Sequence, residues 1–279
     1  LMRLKKTKLA TLDIISLHKE LADLKKQGIN NVIIEASSHG LLQGRLEGIK
    51  FNTGIFTNFS QDHLDYHKNM KNYFRAKMIL FKDLLPRRSV VITDKEDKKF
   101  INLKRIAVSR KLKILTINNI KLNLKKISMV GNFQIKNILM SFLAAQVSGL
   151  KYKKIISKLD KLKNVNGRLE LIKILPNNAK IFVDFAHPPD ALKTVLNSLK
   201  KQFNSKISIV FGCGGERDKG KRKIMAKIVK NFCDKIYVTD DNPRNENPKK
   251  IRRTITKILK NKNFIEIGDR AKAIRFAIL

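Results

Sequence analysis

From residue 180 onward the chain repeats one pattern: a short apolar run, a polar cluster, then an amphipathic segment. KIFVD leads into AHPPD and an expected helix at 189–200. KISIVFG leads into CGGERDKGKR and a helix at 219–231. KIYVTD leads into DNPR and a helix at 248–260, and FIEIGD into a last helix that runs to Leu279. Apolar periodicity switches each time from that of a buried strand to that of a helix. Such alternation folds into a mostly parallel sheet covered by helices, and ligands of such sheets bind outside the carboxyl ends of the strands. Four polar clusters, each just after a strand, mark that edge as the expected active site.

The first half reads as the same layered α/β class. Ile14, Ile15, Leu17, Leu21 and Leu24 predict an amphipathic helix over 11–27, stopped by Gly28. Strands are expected at 31–35, 54–59, 89–94 and 111–120, and helices at 132–148 and 152–162. The pattern breaks at NVNGR, residues 164–168, before the second half restarts it. No internal repeat or low-complexity tract interrupts either half.

Composition excludes several classes. At 279 residues and 43% hydrophobic, the chain can build two ordinary cores. No apolar run reaches the length of a membrane span, and the N-terminus lacks the apolar core and cleavage site of a signal peptide. The chain starts with Leu, so a start further upstream is expected. Two cysteines, Cys213 and Cys233, make neither a disulfide framework nor a four-cysteine zinc site, which suits a reducing cytosol. The net charge of +37 admits a polyanion partner. The lysines are spread along the whole chain, with no aromatic interleaving and no nucleic-acid motif, and this favours solvated lysine-rich faces with a secondary benefit for anionic substrates.

Several constellations carry chemistry, each beside a plainer reading. Glu35 closes an apolar run, where an acid can hold magnesium near phosphates or simply end a strand. Asp62, His63, Asp65 and His67 lie within six residues and suit a divalent metal; helix caps and satisfied histidines would serve as well. Lys77 lies on an apolar stripe with Tyr73, Ala76, Leu80 and Phe81. Burial disfavours an ammonium, and a neutral amine can take up carbon dioxide as a carbamate that suits magnesium; a lysine reaching out to water is the alternative. Gly212, Gly214 and Gly215 surround Cys213 and permit close backbone approach. Glu216, Arg217, Asp218, Lys221 and Arg222 follow, and arginine forks suit a carboxylate. The pattern is neither a GxxxxGK[ST] nor a GxGxxG loop, and Cys213 is expected as a small buried thiol rather than a nucleophile. Asp240, Asp241, Asn242, Pro243 and Arg244 form a turn able to read an amino acid's ammonium and carboxylate together, or a capped helix start.

EASSHGLLQGR, FTNFSQDHLDYHKNMKNYFRAK, VNGR, VDFAHPPDAL, FGCGGERDKGKR and DDNPR, in that order, resemble the Mur ligase family over nearly the whole chain, and its diaminopimelate-adding branch in particular. The resemblance implies residues 1–165 as a partial central ATPase domain with a mostly parallel sheet, and residues 166–279 as a truncated, Rossmann-like C-terminal α/β domain. It implies a cytoplasmic, monomeric ATP- and magnesium-dependent ligase of peptidoglycan synthesis, independent of nucleic acid and membrane. Such an enzyme joins meso-2,6-diaminopimelate to UDP-N-acetylmuramoyl-L-alanyl-D-glutamate through an acyl phosphate. Carried over residue by residue, Glu35, His63 and a carbamylated Lys77 would bind magnesium, with Lys77 and His63 catalytic. Ser37, Gln43 and Arg45 would hold the UDP-linked dipeptide. Asn137 and Arg168 would contact ATP, with Asp184 near the ribose. Arg217, Asp241, Asn242, Pro243 and Arg244 would hold diaminopimelate.

The resemblance has departures. A phosphate loop is expected before residue 1 and a further Gly/His/Glu motif after residue 279, so the chain reads as a fragment expected not to turn over ATP by itself. Phe185 stands where tyrosine is usual, Pro188 where threonine is usual, and Gln134 where asparagine is common. A lysine-adding or folylpolyglutamate-type ligase, a basic nucleic-acid-binding protein and a decayed gene remnant are the competing readings.

Overall fold

A computed structural model describes residues 10–120, 122, 130–216 and 218–279. In chain order the elements are α1 (Ile14–Lys26), α2 (Ser38–Leu42), β1 (Thr53–Phe56), α3 (Leu64–His67), α4 (Met70–Ile79), β2 (Val90–Thr93), α5 (Phe100–Ser109) and β3 (Lys113–Thr116). They continue with α6 (Asn132–Val147), α7 (Tyr152–Leu159), β4 (Glu170–Ile174), β5 (Lys180–Val183), α8 (Pro189–Phe203), β6 (Ser208–Phe211), α9 (Gly220–Phe232), β7 (Lys235–Val238), α10 (Pro248–Leu259), β8 (Phe264–Glu266) and α11 (Arg270–Ile278). Mixed α/β architecture with parallel sheets is therefore the fold class. The chain divides into two compact units: 1–59, 67–124 and 136–160 form the first, and 60–66, 125–135 and 161–279 the second.

In the first unit β1, β2 and β3 form a parallel sheet in that order. Period-two alternation sends neighbouring β2 residues to opposite faces. Val91 packs with Phe56, Met78, Phe81, Leu85 and Leu103. Ile92 packs with Ile117, Met140 and Leu143. Both faces are covered, which accounts for near-continuous apolar strands. The helix bearing Lys77 is capped by Asn69, whose side chain accepts the Asn72 amide. Its last turn widens into a π-type turn at Leu80–Leu84, which carries Phe81 and Leu85 into the core.

The stretch 31–35 forms no strand. It is irregular, and Ile33 stays 95% exposed. An apolar run becomes a strand only by pairing, and among the described residues none pairs with it.

In the second unit β6, β7 and β8 run parallel in that order, and Phe211, Val238 and Glu266 stand level at their carboxyl ends. The loops after these three residues therefore leave the sheet side by side. One face carries Phe211, Ile236 and Val238 against α8, α9 and α10, through Leu196, Met225, Val229, Ile251, Ile255 and Leu259. Tyr237 points to the other face, where its hydroxyl donates to the Phe276 carbonyl of α11 at 2.9 Å.

KIFVD departs from expectation. It is β5, and it pairs antiparallel with β4 in a separate two-stranded sheet rather than joining the parallel one. The cause is local: Pro176, Asn177 and Asn178 close a tight turn, with Asn178 at φ +64° and its amide donating to the Leu175 carbonyl. Two apolar runs joined by such a turn lie next to each other in the chain and can pair as a hairpin.

Candidate active site

Two groups of expected site residues fall within single units, and two are divided between the units. The first gathers around Thr11, which is 2% exposed. The Thr11 hydroxyl donates to the Glu35 carbonyl at 2.7 Å and accepts the Ser37 amide at 3.0 Å. Its one proton is thus committed, so in the 2.8 Å contact between the two hydroxyls Ser37 is the donor. Ser37 caps α2 by accepting the Gly40 amide. Arg45 donates to the Thr11 carbonyl at 2.9 Å and to the Gln43 side chain. Glu35, Ser37, Gln43 and Arg45 are thereby assembled in one place. Thr11 is the hub, and nothing in the spacing of the sequence singles it out.

A row of rings adjoins this loop. His67 is buried and pairs with the Ser38 hydroxyl at 2.9 Å. Its ring lies tilted against Tyr73 at 5.2 Å and against His39 at 5.3 Å between centres, and Tyr73 in turn contacts Phe59 at 5.1 Å. Lys77 is half-buried, with its Nζ 5.0 Å from the centre of the Tyr73 ring. The motif after residue 35 and the lysine-bearing helix are therefore neighbours, within one unit.

The Asp/His cluster at 62–67 is divided between the two units. His67 belongs to the first unit and packs as above. Asp62 and His63 belong to the second. There the Nε2 atoms of His63 and His187 both lie 3.4 Å from one Asp62 oxygen. Burial opposes charge on Asp62, but the His187 hydrogen bond and the two imidazoles outweigh it and hold the carboxyl down at about 2. The Asp62 hydrogen bond conversely raises His187. Among the described residues no three His, Cys, Asp or Glu side chains group closely enough to hold a metal by themselves.

The residues expected near ATP divide likewise. Asn137 is exposed on the part of α6 in the first unit, next to Lys136, which bridges Asp94 at 2.6 Å and Glu96 at 2.7 Å. Arg168 and Asp184 are in the second unit. Asp184 accepts the Leu169 and Ala186 amides, both at 2.7 Å. Gly167 takes φ +67°, and the Phe185 ring covers it so closely that a β-carbon there would lie 2.1 Å from the ring. The Arg168 guanidinium lies 6.0 Å from that ring's centre. Gln134 donates to the Arg168 carbonyl at 3.0 Å, so the amide at this position ties α6 to the NVNGR turn.

The other undivided group lies on the carboxyl edge of the parallel sheet of the second unit. The GCGG loop after β6 and the DDNPR loop after β7 interlock. The Gly215 amide donates to the Asn242 carbonyl at 2.8 Å, and Arg244 donates to the Gly215 carbonyl. Arg252 of α10 bonds Asp240 and Glu266, the latter at 2.8 Å, and so ties the ends of β7 and β8. Asp241, Asn242 and Arg244 are exposed, and Pro243 is half-buried between them. Arg217 lies outside the described residues. Arg222 is 4% exposed and turned inward, with its fork on Glu246. Cys213 and Cys233 are buried, and burial pushes their thiols up to about 11 and about 12; this is the setting of a small buried thiol, as expected for Cys213.

Comparison with known proteins covers both halves of the chain. Residues 1–117 match the family model described as Mur ligase middle domain, and residues 167–279 the one described as Mur ligase, glutamate ligase domain. A UDP-N-acetylmuramoyl-L-alanyl-D-glutamate–2,6-diaminopimelate ligase of Rickettsia montanensis is 41% identical over 97% of this chain and 61% of its own length. One from Chelativorans sp. (strain BNC1) is 38% identical over 97% of this chain and 60% of its own. The chain thus spans about 60% of the length of the curated relatives it matches. A solved structure of a ligase of the same name superposes with a TM-score of 0.58 and 30% identity, over 95% of this chain and 60% of that one. A folylpolyglutamate synthase of Mycobacterium tuberculosis, complexed with ADP and AMPPCP, superposes with a TM-score of 0.66 at 15% identity, over 81% and 56%; at that identity it shares the fold alone.

Proposed function

The chain belongs to the Mur ligase family, and on that premise we propose that its protein joins meso-2,6-diaminopimelate to UDP-N-acetylmuramoyl-L-alanyl-D-glutamate in peptidoglycan synthesis, converting ATP to ADP and phosphate. The observation that carries this reading is the 38–41% identity, across 97% of the chain, to ligases named for that reaction. The DDNPR loop supports it from the chemistry: Asp241, Asn242 and Arg244 present an anion, an amide and a cation together at the carboxyl edge of the sheet. A cytoplasmic enzyme fits the nucleotide-linked substrate and the buried free thiols.

The reaction has two steps. The γ-carboxylate of the D-glutamate attacks the terminal phosphorus of ATP, and ADP leaves. The amine of diaminopimelate then attacks the acyl phosphate, and the tetrahedral adduct collapses to an amide as phosphate departs and the amine loses its proton. Ser37, Gln43 and Arg45 would hold the UDP-linked dipeptide, with Thr11 fixing their loop. Asn137, Arg168 and Asp184 would hold ATP. Arg217 and Arg244 would engage carboxylate on diaminopimelate, where a planar guanidinium fork gives bidentate recognition. Asp241 and Asn242 would receive its ammonium, and Pro243 shapes their turn.

Magnesium is commonly held by one or two carboxylates plus the substrate's phosphates. Glu35 offers one exposed carboxylate, and no self-sufficient cluster of metal ligands exists among the described residues. That donor set fits an ion that arrives with the phosphates. Glu35, His63 and the carbamate of Lys77 would hold it, and when bound it supplies charge neutralisation for phosphoryl transfer. Assaying the protein with a panel of amino acids tests the reading; lysine or glutamate as the accepted substrate would favour another ligase of the superfamily.

A further inference from the structure

Arg222 is the arginine of the GCGGERDKGKR run that the substrate cannot reach. It is 4% exposed, and its fork closes on Glu246, with Nη1 at 3.0 Å from one carboxylate oxygen and Nη2 at 2.8 Å from the other. Nη2 also donates to the Gly214 carbonyl at 3.1 Å. The Glu246 carboxylate in turn accepts the Glu216 amide at 2.6 Å. One ion pair, buried on its arginine side, therefore ties α9, the loop after β6 and the loop after β7.

The loops so tied are held in costly conformations. Glu216 has φ +50° and Arg244 φ +51°, left-handed values that side chains other than glycine seldom adopt and that surrounding structure must enforce. Glu216 is enforced from both ends: its amide is bound by Glu246, and its side chain accepts from Asn245 at 2.8 Å. Arg244 is enforced by the Asn242 side chain, which accepts its amide at 3.2 Å, and by the Gly215 carbonyl. Every one of these ties crosses, or lies beside, the junction that Arg222 and Glu246 close.

We propose that Arg222 and Glu246 are positioning residues for the amino-acid acceptor: their pair fixes the backbone of residues 212–216 and 241–246, and so the direction of the side chains that meet the incoming amino acid. This rests on the ligase reading above for the identity of the acceptor, and on the geometry alone for the clasp.

The test uses the intact protein carrying Glu246→Gln or Arg222→Lys. For Glu246→Gln the KM for the acceptor amino acid rises about tenfold or more, while the KM for ATP and for the UDP-linked dipeptide stays within about twofold. Arg222→Lys keeps the charge but not the fork, and falls between. Amide hydrogen exchange quickens in 212–216 and 241–246 in both variants and not in β1–β3. The wild-type acceptor, whichever it is, tests the ligase reading separately, because the clasp is read on that same amino acid. If the wild type ligates none, hydrogen exchange decides alone. Unchanged exchange in both segments, or acceptor and ATP KM values rising together in folded variants, overturns the proposal.

Discussion

A β-carbon on Gly215 would lie 1.8 Å from the Pro243 carbonyl oxygen. The two loops of the candidate acceptor site thus touch backbone to backbone. Gly215→Ala must push one of them away, because the atom in the way is main chain and cannot swing aside. Overpacking of this kind costs about 1–3 kcal/mol. Urea unfolding should record that loss, and the acceptor KM should rise with it. Wild-type values in both measurements would mean that the loops do not meet as described.

Glu246 gives the clasp a pH signature. The Arg222 hydrogen bond, first among several, holds its carboxyl at about 2, against an ordinary 4.5. A carboxyl depressed on folding stabilises the fold above its unfolded value and loses that contribution as pH falls through the folded one. The thermal midpoint of the wild type should therefore fall between about pH 4.5 and pH 2. Gln does not titrate, so Glu246→Gln should fall less across the same window. Parallel curves would show that Glu246 carries no such linkage.

Much of this edge was legible in the sequence, because strand-ending motifs in an alternating chain have one place to go. KISIVFG, KIYVTD and FIEIGD became β6, β7 and β8, and their loops meet. Two readings failed for reasons of pairing. Residues 31–35 have the composition of a strand but no partner among the described residues, and KIFVD was captured by β4 through the Pro-Asn-Asn turn. Arg222, in the run whose arginines suit a carboxylate, grips one from its own chain. Arginine type and spacing reveal that a carboxylate will be bound, while only the fold reveals whose. Thr11 was invisible altogether, since a threonine's value here lies in which carbonyl and which hydroxyl it faces.

Lys77 stands half-buried against the Tyr73 ring. If its carbamate takes part in holding magnesium, Lys77→Ala should abolish most turnover, and a short carboxylic acid such as acetate should restore part of it. Full activity of Lys77→Ala without added acid would remove the carbamate from the mechanism.

The cysteines should be chemically silent. With the thiols at about 11 and about 12, iodoacetamide near pH 8 should label the folded protein far more slowly than the urea-unfolded one. Cys213→Ala should keep its turnover and lose about 1 kcal/mol of stability from the emptied core position. Rapid labelling of the folded protein, or loss of turnover without loss of fold, would return Cys213 to the chemistry.

The most direct measurement supplies the intact protein with ATP, magnesium and UDP-N-acetylmuramoyl-L-alanyl-D-glutamate, and offers meso-diaminopimelate, lysine, glutamate and alanine in parallel. Mass spectrometry of the nucleotide product should show addition of diaminopimelate with release of one phosphate for each amide formed. Addition of lysine or glutamate in its place would contradict the assignment of the DDNPR loop.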